Sequence, residues 1–232
     1  LAAEALFGES SELYLRLYEE GIIDSSFGGG FETIDGCAML MCSGDSDNAY
    51  AVRDAILAQA AKIAKEEGFA NAAVVDTADI VFDAAFRPYC AENLCGKFAV
   101  NYSCPPDCGT PEEMKNRVLS HKHAIVLQSI WPISDYKDGE AIKKAKGQHN
   151  AAGLRLMKRL REEGHQGFMI GSSGCSLCNP CAITEGKPCN FPDIKFSCIS
   201  AFCIHARKLA ESAGMEYDGN GTLALFGLYV CD

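Results

Sequence analysis

Apolar residues recur at three- and four-residue steps over residues 48–68. Val52, Ile56, Ala60 and Ile63 share one face there and Gly68 supplies a stop, so the pattern predicts an amphipathic helix. The same period marks residues 140–163, with Ile142, Ala145, Ala152, Leu156 and Leu160 in the inner stripe, and residues 200–213, with Phe202, Ala206, Leu209 and Ala213. A shorter helix is predicted over 111–120, opened by Pro111 and by Glu112 and Glu113 in a first turn whose dipole favours acids. Between these helices lie apolar runs of strand length at 72–76, 124–131, 168–171 and 222–230. None approaches the ~20 residues of a membrane-spanning helix. Helices alternating with strands predict an α/β fold, a mixed sheet flanked by helices.

The first 48 residues are less regular. Leu13, Leu15 and Leu17 alternate like a strand, whereas Tyr14, Leu17 and Tyr18 would share a helix face. Gly28, Gly29 and Gly30 read as a flexible turn, and without a clear preceding strand they make a weak phosphate loop. The expected organisation is an N-terminal extension, 1–48, followed by an α/β domain, 49–232. Two cysteine-rich loops, 90–108 and 175–189, are carried on that domain.

Charge narrows the partners. With 31 acidic against 21 basic side chains the net charge is −10, and no basic cluster stands out. Such a surface repels nucleic acid and anionic lipid, so neither is expected as a partner. The N-terminus lacks the basic-then-apolar order of a signal peptide, and a cytoplasmic location is expected. Thirteen cysteines change the picture most. A disulfide framework belongs to small secreted domains that cannot build a core; this chain is long enough to bury one and its cysteine count is odd. Metal binding in a reducing compartment is the better explanation.

Cys175, Cys178 and Cys181 form C-x2-C-x2-C, and seven residues separate Cys181 from Cys189. Three close thiols on a curling loop can wrap three corners of a [4Fe–4S] cluster, with a fourth arriving from further along. Gly171 and Gly174 permit close approach and Pro180 helps fix the loop. Zinc competes, but it normally takes two separated C-x2-C pairs. Plain buried thiols without metal are the third possibility. The earlier loop, Cys90-x4-Cys95-x8-Cys104-x3-Cys108, could hold a second cluster, with Pro105-Pro106 extending the backbone after Cys104. A rigid loop with incidental thiols is the alternative. If Cys108 does not ligate, an iron of that cluster is open to substrate or sulfur.

Together the loops resemble a cysteine-rich family called predicted metal-binding proteins, found chiefly in anaerobic bacteria and archaea. The resemblance runs from about Ala60 to the C-terminus. Its carriers are Cys90-Ala-Glu-Asn-Leu-Cys95-Gly, Asn101-Tyr-Ser-Cys104-Pro-Pro, Gly174-Cys-Ser-Leu-Cys178-Asn-Pro-Cys181 and Pro188-Cys189-Asn-Phe-Pro192, with residues 200–218 as the downstream helix and turn. It implies cysteine-bound metal, two iron–sulfur clusters and anaerobic metabolism, and it implies no reaction. Cys37 and Cys42 fall outside it.

Other residues have blander readings. His121 and His123 could bind metal from one strand face, though a strand rim is the simpler account. His149 and His205 are expected as hydrogen-bonded helix residues. Cys198 and Cys203 read as packing thiols or as groups supporting the ligands, and Cys231 as incidental at an exposed terminus. Asp76, Asp79 and Asp83 read as acidic surface. Three functions follow: a two-cluster electron-transfer protein serving a redox partner, an enzyme using an open-coordination cluster for sulfur or small-molecule chemistry, and a zinc-stabilised interaction module.

Overall fold

A computed structural model describes residues 7–34, 37–133, 135–162, 165–217 and 221–231. Glu163, Asp218 and the side chains of Cys37 and Ala60, which figure in the sequence reading, lie outside them. The ambiguous N-terminal segment is a helix, α1 (Glu12–Glu19). Ser11 accepts the Tyr14 amide at 3.1 Å, and Leu13, Tyr14 and Leu17 are buried. The three glycines are not a turn. They open β1 (Gly28–Ile34), which pairs antiparallel with β2 (Cys37–Ser43) in register Gly28↔Ser43. Pairing with a partner strand overrides the weak strand preference of glycine.

Helix α2 (Ala49–Glu66) begins at Asn48, whose side chain accepts the Ala51 amide at 3.1 Å. Its first half packs Val52, Ala55 and Ile56 against Phe7, Leu17 and Phe27. Its second half buries Ile63 and Ala64 on the main sheet, so one amphipathic helix serves two hydrophobic clusters. Strand β3 (Asn71–Asp76) follows, then the first cysteine loop with the short helix α3 (Arg87–Ala91). Helix α4 (Pro111–Leu119) opens with a reciprocal capping box between Thr110 and Glu113. Then come β4 (His123–Pro132), α5 (Gly139–Glu162), β5 (Gly167–Gly171), β6 (Ser197–Cys198), α6 (Ala206–Ser212) and β7 (Thr222–Cys231).

The main sheet has the order β3-β4-β7-β5-β6, antiparallel except for the parallel β5–β6 pair. It is an α/β fold, with both sheet faces covered. Side chains alternate along each inner strand. Ile125, Leu127, Met169 and Tyr229 pack with Leu156 and Leu160 of α5 on one face. Val126, Ile170 and Leu228 pack with Val118 of α4 and Leu209 of α6 on the other. Burial on both faces explains why β4 and β7 read as continuous apolar runs. At roughly 1.5–3 kcal/mol per buried large apolar side chain, this double layer dominates the stabilisation of the fold.

The predicted helix over 200–213 is corrected. Helix starts only at Ala206, capped by His205; Cys203 has φ +56°, and Ile204 forms an isolated bridge with Phe82. The left-handed Cys203 interrupts any helix, and the bridge to Phe82 claims the backbone instead. Among the described residues no helix is long and apolar enough to cross a membrane.

Candidate metal centre

The second cysteine loop leaves the carboxyl end of β5. Gly171 is tightly enclosed, since an added Cβ would lie 2.6 Å from Asn150 Oδ1 and 2.9 Å from the Phe196 ring. Buried Asn150, on α5, accepts the Ser172 amide at 3.0 Å and donates to Ser173 Oγ at 2.9 Å. These contacts fix the chain just before Cys175. The Cys175 amide then donates to Ser103 Oγ at 2.9 Å, and its carbonyl accepts from Asn101 Nδ2 at 2.9 Å. Asn101 Oδ1 in turn accepts from the Ser103 amide and hydroxyl, at 3.0 and 2.8 Å. Farther on, Tyr102 donates its hydroxyl to the Lys187 carbonyl at 2.8 Å. Residues of the first cysteine loop therefore hold the second from both ends.

Cys175, Cys178, Cys181 and Cys189 line one narrow recess, with Tyr102 and Lys195 at its wall and a cavity volume of about 10 Å³. That is room for about one water, so a bound group needs the thiols to turn outward about their side-chain bonds. Backbone amides are directed at the sulfurs. Burial raises the Cys175 thiol above its ordinary pKa, and the Leu177 and Phe196 amides oppose it. At Cys181 burial also acts upward, yet the amides of Ile183, Tyr102 and Ala182 and the Cys178 thiol outweigh it and leave the thiol lowered. N–H groups pointing at sulfur favour the thiolate, the form that binds metal.

The first loop is shaped by its own turns. Asn93 takes φ +53° and accepts the Phe98 amide at 3.0 Å; Gly96 follows at φ +67°. The Cys108 amide bonds the Cys104 carbonyl at 3.1 Å. Cys90 lies on α3, beside Arg87, which donates to the Gly109 and Ala201 carbonyls, each at 2.7 Å. Cys90, Cys95, Cys104 and Cys198 all line one large cavity. Cys108 is absent from that lining, although it lies close enough to Cys90, Cys104 and Cys198 to interact with them electrostatically; Cys108 and Cys198 both pack partly against the hydrophobic core. Burial pushes Cys104 up to about 12, with the Cys198 thiol adding to it. Burial likewise takes Cys108 to about 11, against the lowering effect of Arg87. Cys198 is raised by burial, opposed by the Ala201 amide, and raised further by Cys90 and Cys95.

Cys198 is the residue that spacing did not single out. It stands nine residues beyond Cys189 in no motif, and the register Gly171↔Cys198 of the parallel β5–β6 pair brings it to the first loop. The two thiol groups adjoin, for a Cβ on Gly174 would lie 2.8 Å from Cys104 Sγ. Among the described residues no three His, Cys, Asp or Glu side chains converge tightly enough to hold a single metal ion.

The remaining candidates have structural roles. His123 Nδ1 lies 3.1 Å from Asp76 Oδ1, and the His121 ring packs 5.6 Å from that of Phe168. Buried His149 shares a 2.8 Å hydrogen bond with Ser129, and His205 caps α6. Asp83 caps a short turn at Ala84–Phe86, accepting the Ala85 amide at 2.9 Å. Cys203 and Cys231 are buried, the latter in the core cluster at the end of β7 rather than at an exposed terminus.

Residues 73–229 match the family described as predicted metal-binding protein (DUF2284), and the chain belongs to that family. No curated protein and no solved structure matches the chain.

Proposed function

We propose that the protein is a two-cluster iron–sulfur protein that carries electrons to or from a redox partner in anaerobic metabolism. The second [4Fe–4S] site is assigned to Cys175, Cys178, Cys181 and Cys189. The first is assigned to Cys90, Cys95 and Cys104, and its fourth thiol is Cys198 in place of Cys108. The observation that carries this reading is the pair of four-thiol groups joined through Ser103, Cys175 and Gly174. The donor set is all sulfur, which suits iron–sulfur clusters. Mononuclear zinc normally takes two separated C-x2-C pairs, whereas Cys175, Cys178 and Cys181 form two overlapping ones. A cluster ligates its thiolates at separated corners, which a looser group can serve.

Bound clusters would supply one-electron carriage. The chain itself contributes the amides aimed at Cys175 and Cys181, which stabilise thiolate charge, and Arg87, whose cation stands beside Cys90 and Cys108. Tyr102, 5.7 Å beneath the Lys195 ammonium, lines the wall of the second recess.

Protein purified without oxygen should be brown and contain iron and acid-labile sulfide in similar amounts, about eight of each per chain. A colourless preparation with stoichiometric zinc would overturn the proposal. A second reading, enzyme chemistry at the first group, is favoured by the large cavity that opens beside Cys90, Cys95, Cys104 and Cys198 and has no counterpart at the second.

A further inference from the structure

We infer that the cavity beside the first thiol group binds a small organic anion carrying a flat ring, of the nucleotide class. The inference adds a ligand to the second reading above, but the cavity's charge and shape are properties of the chain and stand without metal.

Size is the first ground. The cavity is partly open and has a volume of about 1150 Å³, above the range of about 300–1,000 Å³ usual for small-molecule sites. It is larger than four thiols and an inorganic cluster require. The chain just beyond the carboxyl ends of β5 and β6 lines the cavity, at Ser172–Gly174 and Ile199–Ala201.

Charge is the second ground. Lys97, Lys143, Lys146 and Arg207 line the cavity, and among the described residues no Asp or Glu does. The chain as a whole carries 31 acids to 21 bases, so a described lining with four bases and no acid runs against its composition. The lysines are also uncommitted: among the described residues no carboxylate pairs with Lys97, Lys143 or Lys146, although other surface lysines such as Lys158, Lys187 and Lys208 have acidic partners. Ser173, Ser176 and Ser200 add hydroxyl donors suited to phosphate oxygens.

The third ground is the rest of the wall. Phe86, Tyr89, Phe98 and Tyr217 provide flat apolar faces. The Arg207 guanidinium lies 4.6 Å over the Tyr217 ring, which extends that platform and places a cation beside it. Tyr89 and Leu94 are left exposed, and both line this cavity. Aromatic faces next to cations suit a base or other planar ring joined to a phosphate.

The test uses the protein purified without oxygen, with its metal in place, and titration calorimetry with AMP, adenosine and inorganic phosphate. AMP should bind at least about tenfold tighter than adenosine, which lacks the charge, and than phosphate, which lacks the ring. Lys143→Gln and Lys146→Gln should each weaken AMP by about tenfold while iron and sulfide contents stay unchanged. Absence of AMP binding, equal affinity for AMP and adenosine, or indifference to both lysine substitutions overturns the inference; in those cases the lysines only balance thiolate charge. Phosphate binding as tightly as AMP overturns the ring. Iron and sulfide are assayed separately, so a failure of the cluster assignment is read there and not in the heats.

Discussion

The Ser103 hydroxyl accepts the Cys175 amide at 2.9 Å, across 72 residues of chain. Both partners are buried, and neighbouring Asn101 takes the carbonyl of the same residue. The first thiol of the second loop is thus positioned by the backbone turn that presents Cys104. Two loops with separate sequence motifs form one structural body.

Ser103→Ala leaves the Cys175 amide buried without an acceptor, at a cost of about 1–3 kcal/mol. The urea midpoint should fall accordingly, and spectroscopic signals from both proposed clusters should change together. Tyr102→Phe removes only the more exposed bond to Lys187 and should have a smaller effect. Equal effects from the two variants would contradict the linkage described here.

Gly174→Ala tests the contact between the groups. The new Cβ would stand 2.8 Å from Cys104 Sγ and 3.4 Å from Ser103 Oγ. Cys104 must shift, so the variant should perturb the first cluster's spectrum even though residue 174 belongs to the second loop. An unaltered first-cluster spectrum would show that the loops are not in contact there.

Cysteine substitution separates the two candidates for the fourth thiol. Cys198→Ser should abolish or strongly alter the first cluster's signal, and Cys108→Ser should leave it close to wild type. The reverse result would restore the set Cys90, Cys95, Cys104 and Cys108. Cys178→Ser should remove only the second cluster's signal.

Burial lowers the His149 pKa from 6.5 to about 4, so the folded state keeps the neutral ring. As pH falls, the unfolded chain takes up a proton near 6.5 and the folded protein does not until about 4. Stability present above pH 6.5 is therefore lost as pH falls towards 4, by about 3 kcal/mol. His149→Gln should flatten this acid limb in urea unfolding measured from pH 7 to 4. An identical slope in the variant would assign the acid sensitivity elsewhere.

Local periodicity was enough to locate α2, α4, α5, β4 and β7, because each element buries one stripe or two faces over its own length and the stripe is written in consecutive residues. The C-x2-C-x2-C spacing was legible for the same reason: Cys175, Cys178 and Cys181 need only a short curl of chain to share a recess. The α1 segment needed more, since its alternating and helical patterns competed until burial of Leu13, Tyr14 and Leu17 chose the helix. Gly28–Gly30 became strand only through pairing with β2, and Cys203 broke the predicted helix only because Ile204 bridges to Phe82. Cys198 and the basic cavity belong wholly to tertiary structure. No spacing marks a thiol delivered by a two-residue parallel strand, and no sequence window holds Lys97, Lys143 and Arg207 together. Their juxtaposition depends on the order β4-β7-β5-β6, in which the last strand of the chain inserts at the centre of the sheet. That order is set by burial summed over distant segments, which local pattern does not encode.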